Sequence, residues 1–287
     1  MKADEVKSVG VVGAGIMGSG IVEVCAKAGL QVTFVEADEA ARDRGHKAVE
    51  RSTAKAVERG KLEESARREA LGRISGSTSL KDLADADLII EAVTEDLDTK
   101  LEVFRTVDEL ARPDVVMATN TSSLPIAELS AATGRPDRVV GMHFFNPPPV
   151  MKLLEIVKSL TTSSETVEFA RRMGERLGKT TVLAKDRAGL IVNFLLIPYI
   201  NSAIRMLDEG FATREDIDTA IQLGLGHPMG PLALLDLIGL DTALNVSEVL
   251  YDEFKDPLYS APTLLKRMVS AGYLGRKSGR GFYEYEA

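Results

Sequence analysis

His143 and Glu155 are the residues of this chain best suited to move a proton. They bound most of the stretch Gly141–Glu155, GMHFFNPPPVMKLLE, in which a histidine ends an apolar run, a proline turn follows, and a carboxylate sits on the next apolar run. The ordinary pKa of histidine suits proton transfer near neutrality. A carboxylate on one ring nitrogen fixes the tautomer and stabilises the imidazolium. Taken alone, such a pair more often reads as a core histidine and a solvated surface charge, so the surroundings decide.

The run Gly13-Ala14-Gly15-Ile16-Met17-Gly18 is a GxGxxG pattern directly after a strand-like segment and before a helical one. That context matters, because glycine-rich turns by themselves are common. Gly13 permits the tight turn, Gly15 lets backbone approach a pyrophosphate, and Gly18 allows close helix–strand packing. The N–H groups and dipole of the helix start then attract phosphate. Glu36 closes the next strand-like run, where a carboxylate hydrogen-bonds a ribose diol and repels a 2′-phosphate. The pattern therefore favours NAD(H) over NADP(H). An inward-turned Arg42 or Arg44 would weaken that preference, and an exposed strand-end carboxylate is the bland alternative for Glu36.

Further polar residues follow later apolar runs. Asn120-Thr121-Ser122-Ser123 comes after Asp114–Thr119, and Asn146 follows His143 closely. Asn193 opens the helical part of the chain. A hydroxyl, an imidazole–carboxylate pair and an amide converging on one oxygen suit oxidation of a secondary alcohol. His143 would take the hydroxyl proton as hydride leaves the same carbon, while Ser122 and Asn193 orient the oxygen. By themselves, Ser122 also reads as a loop or helix-cap serine and Asn193 as a helix N-cap. The sequence holds no zinc-ligand cluster, so no metal site is expected.

These residues need elements to hold them. Val6–Val12, Gln31–Glu36, Asp87–Ala92, Asp114–Thr119 and Arg138–Phe145 read as strands, and Ile16–Ala28, Glu39–Arg59, Thr99–Leu110 and Ile126–Ala132 as helices. Such alternation predicts an α/β, Rossmann-like, doubly wound and mostly parallel sheet. Leu153–Val157 and Thr180–Leu183 add edge strands around a helix over Ser164–Leu177. Beyond Asp186 the pattern is helical, over Leu190–Glu209, Arg214–Leu223, Pro231–Tyr251 and Ala261–Ala271. The spacing predicts an NAD-binding domain over 1–186 and a smaller all-helical C-terminal domain over 187–287. Its apolar stripes either pack on each other or form a dimer contact.

Composition narrows the partners. The 287 residues carry 35 basic and 43 acidic side chains, a net charge of −8, which disfavours a general nucleic-acid or acidic-membrane surface. Cys25 is the only cysteine, so no intrachain disulfide forms, and it reads as a small buried apolar residue. The N-terminus lacks the apolar core of a secretory signal, and Leu190–Ile200 is too short and interrupted to span a bilayer. A soluble, cytoplasmic protein is expected.

Five blocks in order, GAGIMGSG, ATNTSSLPI, GMHFFNPPPVMKLLEI, LGHPMGPLALLDLIGLD and GRKSGRGFYEY, give the chain a resemblance over nearly its whole length to the L-3-hydroxyacyl-CoA dehydrogenase family, on the bacterial 3-hydroxybutyryl-CoA dehydrogenase side. The resemblance implies an NAD-dependent oxidoreductase that interconverts (S)-3-hydroxyacyl-CoA and 3-oxoacyl-CoA, short chains favoured, as a homodimer formed through the helical domain. It implies that Ser122, His143, Glu155 and Asn193 are the active-site residues. It further implies NAD contacts from Gly13, Gly15, Ile16, Met17, Gly18, Glu36, Glu95, Lys100, Ser122, Asn146 and Lys277. Ser52, Lys55, Arg59 and Lys61 match positions near coenzyme A, with Ser122 also at the substrate. Read without the family, that basic cluster is a solvated helix face.

The sequence departs from the family pattern at three places: Glu36 stands for the usual Asp, Ala188 for a common proline, and Phe194 for the arginine that usually follows the asparagine. Two other readings share the scaffold. One is a dehydrogenase of hydroxyacyl groups on acyl carrier protein. The other is a non-enzymatic structural protein like the lambda-crystallins, which the complete set Ser122, His143, Glu155 and Asn193 argues against.

Overall fold

The computed structural model describes residues 2–285. It divides the chain into two compact units, Met1–Asp186 and Arg187–Ala287. The first is built on eight strands: β1 (Ser8–Val12), β2 (Gln31–Val35), β3 (Ile74–Ser77), β4 (Leu88–Glu91), β5 (Val116–Thr119), β6 (Val139–Phe144), β7 (Leu153–Lys158) and β8 (Thr180–Lys185). Six helices connect them: α1 (Ile16–Lys27), α2 (Glu39–Glu58), α3 (Glu64–Leu71), α4 (Leu97–Leu110), α5 (Ile126–Ala131) and α6 (Ser164–Arg176).

The strands join in the order β3-β2-β1-β4-β5-β6-β7-β8. Every pairing is parallel except β6 with β7. The doubly wound, mostly parallel sheet read from the sequence is therefore borne out. Its order reverses between β1 and β4, and ligands of such sheets bind beyond the carboxyl ends of the strands at that switch.

Side chains alternate across the sheet, so each strand contributes one residue in two to either face. Val9 and Val11, Leu88 and Ile90, Val116 and Ala118, and Val140, Met142 and Phe144 form one face. They pack with Ile21, Val22 and Cys25 of α1 and with Phe169, Ala170 and Met173 of α6 into the main core. Burial of each such large apolar side chain contributes about 1.5–3 kcal/mol. The intervening residues form the other face. The register lines up Glu91 with Thr119, Thr119 with Gly141, and His143 with Glu155, so the side chains of Glu91, Thr119, His143 and Glu155 share it. On this face a Cβ on Gly141 would stand 2.5 Å from Ile126 Cδ1 of α5.

Two elements escape the sequence reading. Helix α3 and strand β3 lie where the chain reads as polar and irregular, and the four residues of β3, ISGS, have none of the β-branched run that marks a strand. β3 exists because β2 offers it a parallel partner.

The second unit contains α7 (Val192–Asp208), α8 (Arg214–Leu225), α9 (Pro231–Ile238), α10 (Leu240–Phe254) and α11 (Thr263–Ser270). The single helix expected over Pro231–Tyr251 is corrected to α9 and α10. Gly239 separates them with φ +103°, a conformation that a right-handed helix cannot include and that favours glycine. Ile197, Ile200, Ile204, Leu232, Leu235 and Leu250 are central to its apolar core. Among the described residues no helix is long and apolar enough to cross a membrane.

Candidate active site

The glycine loop follows β1. Gly13 has φ +89° and donates its N–H to Val35 O at 2.8 Å, which fastens the turn to the end of β2. A Cβ on Gly18 would fall 1.9 Å from Gly13 O, so helix and turn meet only through a missing side chain. The first backbone bond of α1 runs from Ser19 N–H to Gly15 O at 2.9 Å. The N–H groups of Ile16, Met17 and Gly18 therefore point out of the helix start, as an anion site requires. Space is open where a Gly15 side chain would stand.

Glu36 Oε1 accepts the Ala14 N–H at 2.6 Å, which brings the carboxylate against the same loop. Its other oxygen, Oε2, accepts the Ala37 N–H at 3.3 Å. Arg42 turns instead to Asp43 at 3.0 Å and Glu39 at 3.8 Å, and Arg44 is exposed. The negative charge at Glu36 is thus not neutralised by either. Free N–H donors for phosphate beside an uncompensated carboxylate fit NAD and oppose a 2′-phosphate.

His143 and Glu155 face each other on the antiparallel pair β6–β7. His143 Nδ1 and Glu155 Oε2 are 2.7 Å apart, with the carboxylate fully buried and the imidazole nearly so. The ring of Phe145 lies 4.7 Å from the imidazole, centroid to centroid. With Nδ1 engaged, Nε2 is the nitrogen left for chemistry. Asn120 Oδ1 accepts the Phe144 N–H at 2.9 Å and so ties the loop after β5 to the end of β6.

That loop carries Ser122. Glu95 Oε1 accepts from Thr121 Oγ1 at 2.6 Å, Ser122 N–H at 2.9 Å and Ser123 Oγ at 3.1 Å. Ser122 Oγ is 3.4 Å from the same oxygen. Burial pushes the Glu95 carboxyl up, but the Lys100 ammonium and these donors outweigh it and hold the group below the usual carboxylate range. Lys100 is itself buried, 2.6 Å from Glu91 and 3.3 Å from Glu95.

Sequence reasoning missed Glu91, whose one signal is a charge closing the apolar run Leu88–Ile90. It also missed Lys179. That buried ammonium donates to Pro148 O and to Met151 O (2.8 Å), holding the proline turn between β6 and β7.

The remaining expected residues lie on other elements. Asn146 is exposed at the proline turn, before a cis bond to Pro147. Ser52, Lys55 and Arg59 follow helical spacing along α2 and its end, with Lys61 just beyond, all exposed. Asn193 lies inside α7, whose N-cap is Ile191, so the N-cap reading of Asn193 is corrected. Lys277 donates to Asp241 at 2.6 Å within the second unit. Partial burial pushes the Asp241 carboxyl up, and its bond to Lys277 outweighs this and holds it low. Cys25 is fully buried, and burial pushes its thiol up to about 12.

Comparison with known proteins follows the division of the chain. Residues 8–187 match the NAD binding domain of 3-hydroxyacyl-CoA dehydrogenase, and residues 189–285 match its C-terminal domain. A 3-hydroxybutyryl-CoA dehydrogenase of Mycobacterium tuberculosis is 51% identical over 288 residues, covering 99% of this chain and 100% of the relative. A probable 3-hydroxybutyryl-CoA dehydrogenase of Bacillus subtilis is 46% identical, with 98% of each chain covered. The crystal structure of (S)-3-hydroxybutyryl-CoA dehydrogenase PaaH1 from Ralstonia eutropha superposes with a TM-score of 0.92 at 47% identity, over 99% of this chain and 100% of that one.

Proposed function

Because this chain belongs to the 3-hydroxyacyl-CoA dehydrogenase family, and is an NAD-dependent dehydrogenase, we propose that it interconverts (S)-3-hydroxybutyryl-CoA and acetoacetyl-CoA. The observation that carries the reading is the 2.7 Å contact between His143 Nδ1 and Glu155 on the sheet face that also bears Thr119 and leads to Ser122. His143 is the general base. Its Nε2 takes the proton of the substrate hydroxyl, and Glu155 opposes the positive charge that the ring gains. NAD+, when bound, supplies the hydride acceptor. Ser122, held by Glu95, gives the substrate oxygen a hydrogen-bond partner as its charge develops. In the reducing direction the His143 imidazolium returns the proton to that oxygen.

The exposed cations Lys55, Arg59 and Lys61, with Ser52, suit the phosphates of coenzyme A. The second unit exposes Phe211, Leu223, Leu225, Leu237 and Leu258, each more than half accessible, and these support a homodimer through that unit. Light scattering on the eluting protein should give twice the 31.0 kDa chain mass.

The test is oxidation of NADH with acetoacetyl-CoA, with NADPH and with acetoacetyl groups on acyl carrier protein as controls. Rapid turnover with NADH and the CoA thioester is expected. Absence of turnover, or a preference for the carrier protein, would overturn the substrate assignment.

A further inference from the structure

Glu91 has no part in the reaction proposed above, yet it is a deeply buried carboxylate with both oxygens engaged behind the site. It closes β4, opposite Val12 of β1, at the point where the strand order reverses. Its side chain is 2% exposed. Oε1 accepts from Lys100 Nζ at 2.6 Å and from Val93 N–H at 2.7 Å, and Oε2 accepts from Thr119 Oγ1 at 2.7 Å. The Lys100 ammonium and the Val93 amide thus share one oxygen, and the Thr119 hydroxyl engages the other.

Each bond reaches a different part of the site. Val93 is on the backbone that a Cβ on Gly13 would strike, with its nitrogen 3.0 Å from that position, so the first bond sets the floor of the glycine loop. Thr119 Oγ1 receives the Thr121 N–H at 3.2 Å, at the root of the Ser122 loop. Lys100 passes the third bond on to Glu95, which holds Ser122 and Ser123.

The group does not balance its charge. Two carboxylates, Glu91 and Glu95, share one ammonium, Lys100, which leaves one net negative charge beyond the carboxyl ends of β4 and β5. A dinucleotide on a doubly wound sheet crosses the switch point and brings its nicotinamide to those strand ends. The oxidised ring is a cation. Hydride addition makes it neutral, so a fixed negative charge acts on one form and not on the other.

We propose that Glu91 is a positioning residue for the dehydrogenase reaction, fastening the glycine loop to the Ser122 loop, and that its unbalanced charge makes this site bind NAD+ more tightly, relative to NADH, than a neutral residue there would. The inference rests on the cofactor reading above and adds to it a residue and a redox bias.

Calorimetric dissociation constants for NAD+ and for NADH on wild type, Glu91→Gln and Glu91→Asp provide the test, with thermal melts to verify folding. Glu91→Gln should raise the ratio Kd(NAD+)/Kd(NADH) by about tenfold. Glu91→Asp keeps the charge and should keep the ratio while lowering kcat. An unchanged ratio in Glu91→Gln, or an equally shifted one in Glu91→Asp, overturns the proposal. If Glu91→Gln does not fold, Glu95→Gln removes the same single charge from a more exposed position, and a ratio unmoved there overturns it equally. Failure of the wild type to bind either cofactor would instead remove the cofactor reading itself.

Discussion

His143 and Glu155 are 12 positions apart in the chain and directly opposite in space, because the proline turn reverses the strand and β6 pairs antiparallel with β7 in a register that matches these two residues. Opposed residues of an antiparallel pair project to the same face within side-chain reach. A slip of one position would send one of them to the other face, into the core of Met142 and Ile156. The strand register thus brings the imidazole and the carboxylate together.

Replacement of His143 tests its proposed role as base most directly. His143→Gln should lower kcat by about 10²–10⁴-fold, the usual range for a general base. NADH affinity, measured by fluorescence titration, should stay within about twofold because the glycine loop is untouched. Unchanged turnover would remove His143 from the chemistry.

Glu155→Gln probes the other half of the pair. The amide neither stabilises an imidazolium nor enforces the same tautomer, so kcat should fall by about 10²–10⁴-fold, as in other carboxylate–imidazole pairs. KM for acetoacetyl-CoA should change little. A rise in KM at constant kcat would place Glu155 in substrate binding instead.

Glu36→Gln addresses the choice of cofactor. Removing the charge beside the glycine loop should narrow the preference in kcat/KM for NADH over NADPH by roughly tenfold or more. Steady-state kinetics with both cofactors decide it, and an undiminished preference would show that repulsion from Glu36 is not the selector.

Glu95 links the site to acid stability. Its folded carboxyl lies below the ordinary value of 4.5, because Lys100 and its hydrogen-bond donors outweigh burial. A depressed carboxylate contributes stability that is fully present above the unfolded value and is lost as pH falls through the lower folded one. The melting-temperature advantage of wild type over Glu95→Gln should therefore hold at neutral pH and shrink as pH drops below 4.5. An advantage that stays constant down to pH of about 3 would contradict the coupling.

Much of the fold was legible in local pattern. Strand-like runs separated by helical ones gave the parallel sheet, and the glycine run after β1 gave the cofactor loop, because both depend on neighbours in sequence. Strand β3 was not legible, since ISGS becomes a strand only beside β2. The break at Gly239 was hidden within an otherwise continuous helical pattern, because glycine inside a helix is unfavourable rather than forbidden. Glu91 was passed over because a single carboxylate after three apolar residues looks like a strand end meeting solvent. Its burial follows from Lys100 of α4 and Thr119 of β5 meeting it beside the Val93 N–H of its own loop.

The sequence by itself determined the residue types for hydride chemistry, the glycine loop and the change from alternating to helical pattern near Asp186, all of which are properties of short segments. Only the tertiary structure decided that Glu155 holds Nδ1 of His143, that Arg42 turns away from Glu36, and that Lys100 joins the buried Glu91 to the more exposed Glu95 beneath the Ser122 loop. The physical reason is that hydrogen-bond and ion-pair geometry depends on strand register and chain crossing, which join residues distant in sequence and leave no local periodicity to read.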